Sequence, residues 1–204
     1  MNLCALIVFS ISLAAALIHH FAFEHARLTL AFDAKQYLAN TSAVAEILVS
    51  ILRGQAPTAL LFDRKFVFGI TIDGPVVPLF FGVLFAAAGH VPTTTDWKVL
   101  EILQSIVHGL SACLVLGLTW RLTRCRAAAM GAGLAWGLYP PAVIWSGIFY
   151  SETLAVFLSL LFAFALTMSA DRAGMRPVAG VSAAMCFLLK PALAVPVGAA
   201  VALF

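Results

Sequence analysis

Val99–Trp120 reads VLEILQSIVHGLSACLVLGLTW. As a helix, at ~1.5 Å per residue, a run of this length crosses the ~30 Å hydrocarbon core of a bilayer. Its few polar groups are not scattered. Glu101, Gln104, Ser105 and His108 recur at helical spacing and form one stripe, a pattern suited to hydrogen bonding between neighbouring helices. A stretch that is oily on most sides and polar along one line reads as a membrane-spanning helix inside a bundle.

The rest of the chain repeats the theme. Leu3–Phe23, Ala127–Ser146 and Thr153–Ala170 are further runs of spanning length, and Pro177–Leu189 begins another that Lys190-Pro191 interrupts. The apolar run after Pro191 continues to Phe204, so the chain is expected to be the N-terminal part of something longer. Met1-Asn2 carries no positive charge ahead of the first run, and no small-x-small cleavage site precedes His19-His20. That run is therefore expected to be an uncleaved span rather than a secretory signal.

Composition agrees. The 204 residues are 63% hydrophobic and 10% charged, with a mean hydropathy of +1.04. Water-soluble domains carry roughly 25% charged residues and about 45–50% apolar ones. A dinucleotide-binding enzyme, a cytosolic regulator and a disordered tail are excluded on this ground. A net charge of +3 is too weak for nucleic-acid binding. Cys4, Cys113, Cys125 and Cys186 form no CxxC pair and point to neither a zinc site nor a redox couple. The expected fold is all-α, a polytopic helical bundle forming one membrane module over residues 1–204.

Between the first two spans lies a long loop, residues 24–98, holding six of the twelve Lys and Arg and six of the nine acids. Within it, Ala34–Arg53 has helical periodicity: Val44, Ile47, Leu48, Ile51 and Leu52 share one face, and Ser42, Glu46, Ser50 and Arg53 the other. A two-faced helix beside a membrane tends to lie in the interface plane. Pro75–Ala88 is apolar all round but short for a span, which suits a re-entrant or juxtamembrane helix. Arg121, Arg124, Arg126, Arg172 and Arg176 occupy two short loops that should face the cytoplasm. If Pro75–Ala88 does not cross, the long loop is external; if it does, Glu24–Arg53 is internal. Charge counting permits both.

Three charged groups stand near membrane depth, where each is costly. Asp33 is placed to cap the following helix, with Gln36 closing a capping box and Phe32 and Tyr37 forming a hydrophobic staple; a carboxylate held that way also suits a general base. Glu152 sits in a short turn behind Ser151, in the first turn of a span. If both face one side, the two acids are suited to hold a divalent metal ion through oxygen ligands, or to divide base and metal roles. Lys190 ends a helix before Pro191, either as an interfacial lysine or as a cation facing a recess for a phosphate. His19, His20, Glu24 and His25 are metal ligands by type, although a helix end rich in histidine is commonly just interfacial. Gly133 and Gly137, spaced for close helix approach, read as packing residues rather than as a nucleotide loop.

Several motifs in order, Asp33-Ala-Lys-Gln-Tyr37, Gly74-Pro75-Val-Val-Pro78 to Gly89, Tyr139-Pro140-Pro141, Tyr150-Ser-Glu152-Thr-Leu154 and Leu189-Lys190-Pro191 to Pro196, resemble the N-terminal module of the GT-C superfamily of membrane glycosyltransferases. The nearest groups are the protein O-mannosyltransferases and the bacterial transferases that place aminoarabinose on lipid A. Some relatives have a lysine where this chain has Gly74, and the protein-mannosylating ones often have a paired acid where it has Asp33-Ala34. The resemblance implies an external active face on a bacterial inner membrane and transfer of a sugar from a polyprenyl-phosphate donor to a hydroxyl of a lipid, glycan or protein. It assigns Asp33 as catalytic base, Glu152 to metal or substrate binding, and Lys190 to the donor phosphate. It leaves room for Mg or Mn at Asp33 and Glu152, and it requires no nucleotide. The competing expectation is a non-catalytic carrier, channel component or scaffold, which calls for broken helices and ionisable groups at the midplane.

Overall fold

Runs of Leu, Ala, Val, Ile and Phe without strong breakers have no stable option in lipid but the helix, which satisfies its own backbone. The computed structural model bears this out. It describes residues 2–22, 32–56, 75–93, 96–147 and 151–190, with residues 32–35 and 97 described by backbone alone. Among the described residues the fold is all-α, with eight helices: α1 (Asn2–Ala22), α2 (Phe32–Leu52), α3 (Val76–Ala87), α4 (Trp97–Thr123), α5 (Arg126–Gly137), α6 (Pro140–Ser146), α7 (Ser151–Ser169) and α8 (Met175–Leu189). Of these, α1, α4 from Lys98 and α7 are long and apolar enough to cross a membrane.

The expected third span, Ala127–Ser146, is not one straight rod. It is broken into α5 and α6, which meet at a 53° bend. The cause lies in Tyr139-Pro140-Pro141. A proline has no N–H for the preceding turn and drives the residue before it out of the helical region; Tyr139 is accordingly extended, at φ −63° and ψ 113°. The same rule ends α8. Lys190 precedes Pro191 in sequence and is extended, at φ −144° and ψ 103°.

The chain divides into two compact units, one of residues 1–26 and 101–204, the other Arg27–Leu100. In the first, α1 packs on α5 and α6, and α7 pairs with α8. Val8, Ala112, Leu116 and Ala129 form the core where α1, α4 and α5 meet, with Cys4 and Trp120 packed against it. The thiol of Cys113 on α4 donates to the carbonyl of Ala5 on α1 at 3.4 Å.

The small-residue spacing acts as read from the sequence. A Cβ on Gly133 would stand 3.0 Å from Leu116 Cβ and 3.1 Å from a methyl of Val8, and one on Gly137 would stand 2.8 Å from Ser12 Cβ and overlap its hydroxyl. Ser12 has no free rotation to offer, because its hydroxyl donates to the Val8 carbonyl at 2.7 Å. Gly137→Ala is therefore expected to destabilise the bundle by about 1–3 kcal/mol, the usual cost of overpacking. Gly131→Ala is the control, since a Cβ there meets nothing within 4 Å. It should be neutral or stabilising by up to about 1 kcal/mol through helix propensity. Thermal unfolding in detergent compares the two.

In the second unit, α2 packs along α3. Tyr37, Leu38, Thr41, Val44, Ala45 and Ile47 are buried on α2. Gly82 on α3 brings the two backbones together, for a Cβ there would lie 2.6 Å from a Val44 methyl. Ile51 and Leu52, at the end of the apolar face, are 54% and 74% exposed. One sequence expectation needs correction. Asp33 lies inside the first turn of α2, which begins at Phe32, and not at the cap. The Gln36 amide donates forward to Asn40 Oδ1 at 3.2 Å.

The stretch leading into α4 is stapled by Asp96. Its carboxylate accepts from the Thr93 backbone N–H at 2.7 Å and the Thr93 hydroxyl at 2.9 Å, and pairs with His90 Nε2 at 3.0 Å. These hydrogen bonds, the Thr93 backbone one foremost and then that from His90, hold the Asp96 carboxyl below the ordinary carboxylate range.

Candidate functional site at the Glu152 end of the bundle

The first unit is polarised along its length. At one end, Arg121 at the foot of α4 pairs with Asp171 in the turn after α7, Arg124 and Arg172 lie in the same two turns, and Arg126 and Arg176 begin the helices that follow them. The two arginine loops expected to share a face are thus joined. At the other end of α7, 19 residues and about 28 Å away, stands Glu152.

Glu152 occupies the first turn of α7, where the helix dipole favours an acid. Its partner comes from the neighbouring hairpin arm: Lys190, released from α8 by the proline that follows it, places Nζ 2.5 Å from Glu152 Oε1. Both side chains are 38% exposed, so the pair is wet and exchangeable rather than a buried strut. Two of the three residues singled out from the sequence are therefore brought together. The third, Asp33, belongs to the other unit, and its side chain lies outside the described residues.

Behind the pair the bend between α5 and α6 opens a cavity of about 230 Å³. Trp136, Tyr139 and Trp145 give it aromatic walls, His108 and Ser111 of α4 reach it from behind, and Glu152 and Thr153 line it from α7. Each polar group has a defined state. His108 Nε2 donates to the Gly137 carbonyl at 3.1 Å, Ser111 to the Val107 carbonyl at 2.9 Å, and Thr153 to the Trp145 carbonyl at 3.3 Å. The Trp136 indole N–H is buried without a partner among the described residues.

The stripe on α4 is buried throughout: Glu101, Gln104, Ser105 and His108 are each 2% exposed or less. Glu101 Oε2 lies 3.0 Å from His20 Nδ1 near the end of α1. The interhelical reading of the stripe holds at this pair and at His108. His20 is thus engaged by a carboxylate of another helix, whereas Glu24 and His25 lie outside the described residues. Among the described residues no group of three or more His, Cys, Asp or Glu side chains is arranged to hold a metal ion. The Glu152 carboxylate is engaged by the Lys190 ammonium, and the side chain of Asp33, the other acid of the expected pair, lies outside the described residues.

Sequence reasoning missed the cavity and its aromatic walls. The signal was present in the double proline, which cannot continue a span and must leave a gap in the packing beside it. No known protein family, no curated protein and no solved structure matches this chain.

Proposed function

We propose that the protein is a membrane glycosyltransferase that moves a sugar from a polyprenyl-phosphate donor to an acceptor hydroxyl, in the manner of the GT-C enzymes its motifs resemble. The observation that carries this reading is the Glu152–Lys190 pair at the rim of an aromatic cavity, at the opposite end of α7 from the arginine turns. With those arginines on the cytoplasmic side, the pair lies at the external face, which in a bacterium is the outer side of the inner membrane.

The chemistry asks for two services. A carboxylate removes the acceptor proton as the acceptor oxygen bonds to the anomeric carbon. The bond from that carbon to the phosphate oxygen breaks, the electron pair leaves with the lipid phosphate, and a cation stabilises it. Asp33 supplies the base in this scheme, Lys190 receives the phosphate, and Glu152 holds Lys190 in place until the donor arrives and then accepts hydroxyls of the substrate. The exposure of the pair makes the exchange of Lys190 from carboxylate to phosphate cheap.

Lys190→Ala tests this. In proteoliposomes carrying the full chain and a radiolabelled polyprenyl-phosphate sugar, transfer to membrane acceptors should fall about 10²–10³-fold, the usual loss when one charge-stabilising group is removed. Lys190→Arg should retain a substantial part. Transfer at the wild-type rate in Lys190→Ala would overturn the assignment.

A further inference from the structure

A second cavity lies toward the arginine end of the bundle, away from the Glu152 pair. We propose that it seats one acyl chain of an anionic phospholipid from the leaflet on that side, with the lipid's phosphate held by the arginines at its mouth. The inference is independent of the transferase reading, whose Glu152 stands at the other end of α7.

The groove has a direction. Leu110, Leu114 and Gly117 of α4 line it, and their spacing puts them in one row along the helix. The next member of that row is Arg121. Phe157, Leu161 and Phe164 repeat the spacing on α7, and their row runs on through Met168 to Asp171 in the turn. Arg121 and Asp171 pair with each other, so both walls end at one ion bridge.

Length and volume fit a lipid chain. Leu110 and Arg121 are eleven residues apart on α4, or ~17 Å of helix at ~1.5 Å per residue. One leaflet, half of a ~30 Å hydrocarbon core, is ~15 Å thick. A chain whose headgroup stands at Arg121 thus reaches Leu110 by the depth at which its own leaflet ends. The volume, about 390 Å³, is more than twice the ~150 Å³ apolar cavity that accepts a benzene, which leaves room for roughly a dozen carbons.

The walls and the mouth select different parts of the ligand. Apart from Asn2, the only polar lining side chain is Cys113, whose thiol already donates to the Ala5 carbonyl. A sugar or a polar peptide would lose its hydration there without replacement. The mouth is the opposite. Residues 121–126 and 171–176 carry five arginines, with Asp171 as their one acid, and Arg124, Arg126, Arg172 and Arg176 are exposed. Guanidinium groups match phosphate oxygens in bidentate fashion. A zwitterionic lipid would bring its own ammonium among these cations, whereas phosphatidylglycerol brings the phosphate charge alone. A free phosphate would use the mouth and leave the groove, and an uncharged lipid would do the reverse. An anionic phospholipid uses both.

Native mass spectrometry of the full chain in a non-ionic detergent counts bound lipids and tests this. Dioleoyl-phosphatidylglycerol should bind about tenfold more tightly than dioleoyl-phosphatidylcholine, in line with the attraction of juxtamembrane arginines for anionic lipid. Arg124→Gln with Arg172→Gln, two exposed changes, should remove most of that preference and leave phosphatidylcholine binding as it was. Dihexanoyl-phosphatidylglycerol, too short to fill the groove, should bind the wild type roughly tenfold more weakly than the dioleoyl form, through lost apolar contact. Ala5→Phe on α1 and Leu161→Phe on α7 narrow the groove from two walls, and either one that keeps the wild-type circular dichroism should bind both dioleoyl lipids more weakly. Equal binding of the two dioleoyl lipids, a preference that survives loss of the two arginines, or indifference to chain length would each overturn the proposal. So would displacement of the lipid by glycerol phosphate, which would mark a plain phosphate site, or a folded groove variant that binds as the wild type does.

Discussion

Asp33→Asn is expected to lower sugar transfer by about 10²–10⁴-fold, the range for removing a general base, while the protein still inserts and folds. The substitution is nearly isosteric and deletes one property, the ability to accept the acceptor's proton. Its structural cost should be small. Asp33 lies in the first turn of α2, where exchanging a carboxylate for an amide forfeits a dipole interaction of roughly 0.3–1 kcal/mol. The buried face of α2 begins further along, at Tyr37 and Leu38, and is untouched. The informative comparison is with Lys190→Ala. Loss of the base should depress transfer to strong and weak acceptor nucleophiles unequally, because proton removal helps the weaker ones most. Loss of Lys190 should depress both alike, because the departing phosphate is common to them. Transfer and helical circular dichroism measured on the same preparations separate chemistry from folding. An Asp33→Asn protein that transfers at the wild-type rate removes the proposed base.

What was legible in the sequence follows from range. The spans were, because hydropathy and length are local and lipid leaves the chain few choices; α1, α4 and α7 match their predicted runs to within a few residues. So was the role of Gly133 and Gly137, because the spacing of small residues on one helix is itself the signal. The break at Tyr139-Pro140-Pro141 was hidden by the habit of averaging hydropathy across a window, although two prolines in a row state it plainly. The one-sidedness of α3 was not legible at all. It is apolar all round, and only its packing on α2 decides that Phe81 and Phe85 are buried while Leu79 and Val83 are exposed. The Glu152–Lys190 pair joins residues 38 apart, and no local pattern encodes which cation an acid will meet. The aromatic cavity is further still from the sequence, since it is a space left by a bend rather than a property of any segment.

Breaking the buried pair should have the largest effect on stability. Glu101→Ala is expected to cost about 1–3 kcal/mol, the range for removing one partner of a buried hydrogen bond, a sizeable share of the ~5–15 kcal/mol that holds a typical domain together. His20 and Glu101 have side chains only 3% and 1% exposed, 3.0 Å apart, and come from helices that meet nowhere near in sequence. Removing the carboxylate takes this contact from the imidazole, and the vacated volume adds a cavity term. The pair as a whole is a different matter, because desolvating two ionisable groups offsets much of their attraction. A double replacement, His20→Leu with Glu101→Leu, should therefore recover most of what either single truncation loses. Unfolding of the wild type, His20→Leu, Glu101→Leu and the double variant in the same detergent gives the coupling energy directly. A single truncation costing less than about 1 kcal/mol, with additive effects in the double variant, would mean that α1 and α4 are not joined by this contact. Recovery in the double variant would instead show that the pair sets which faces of the two helices meet, a choice of register rather than a source of net stability.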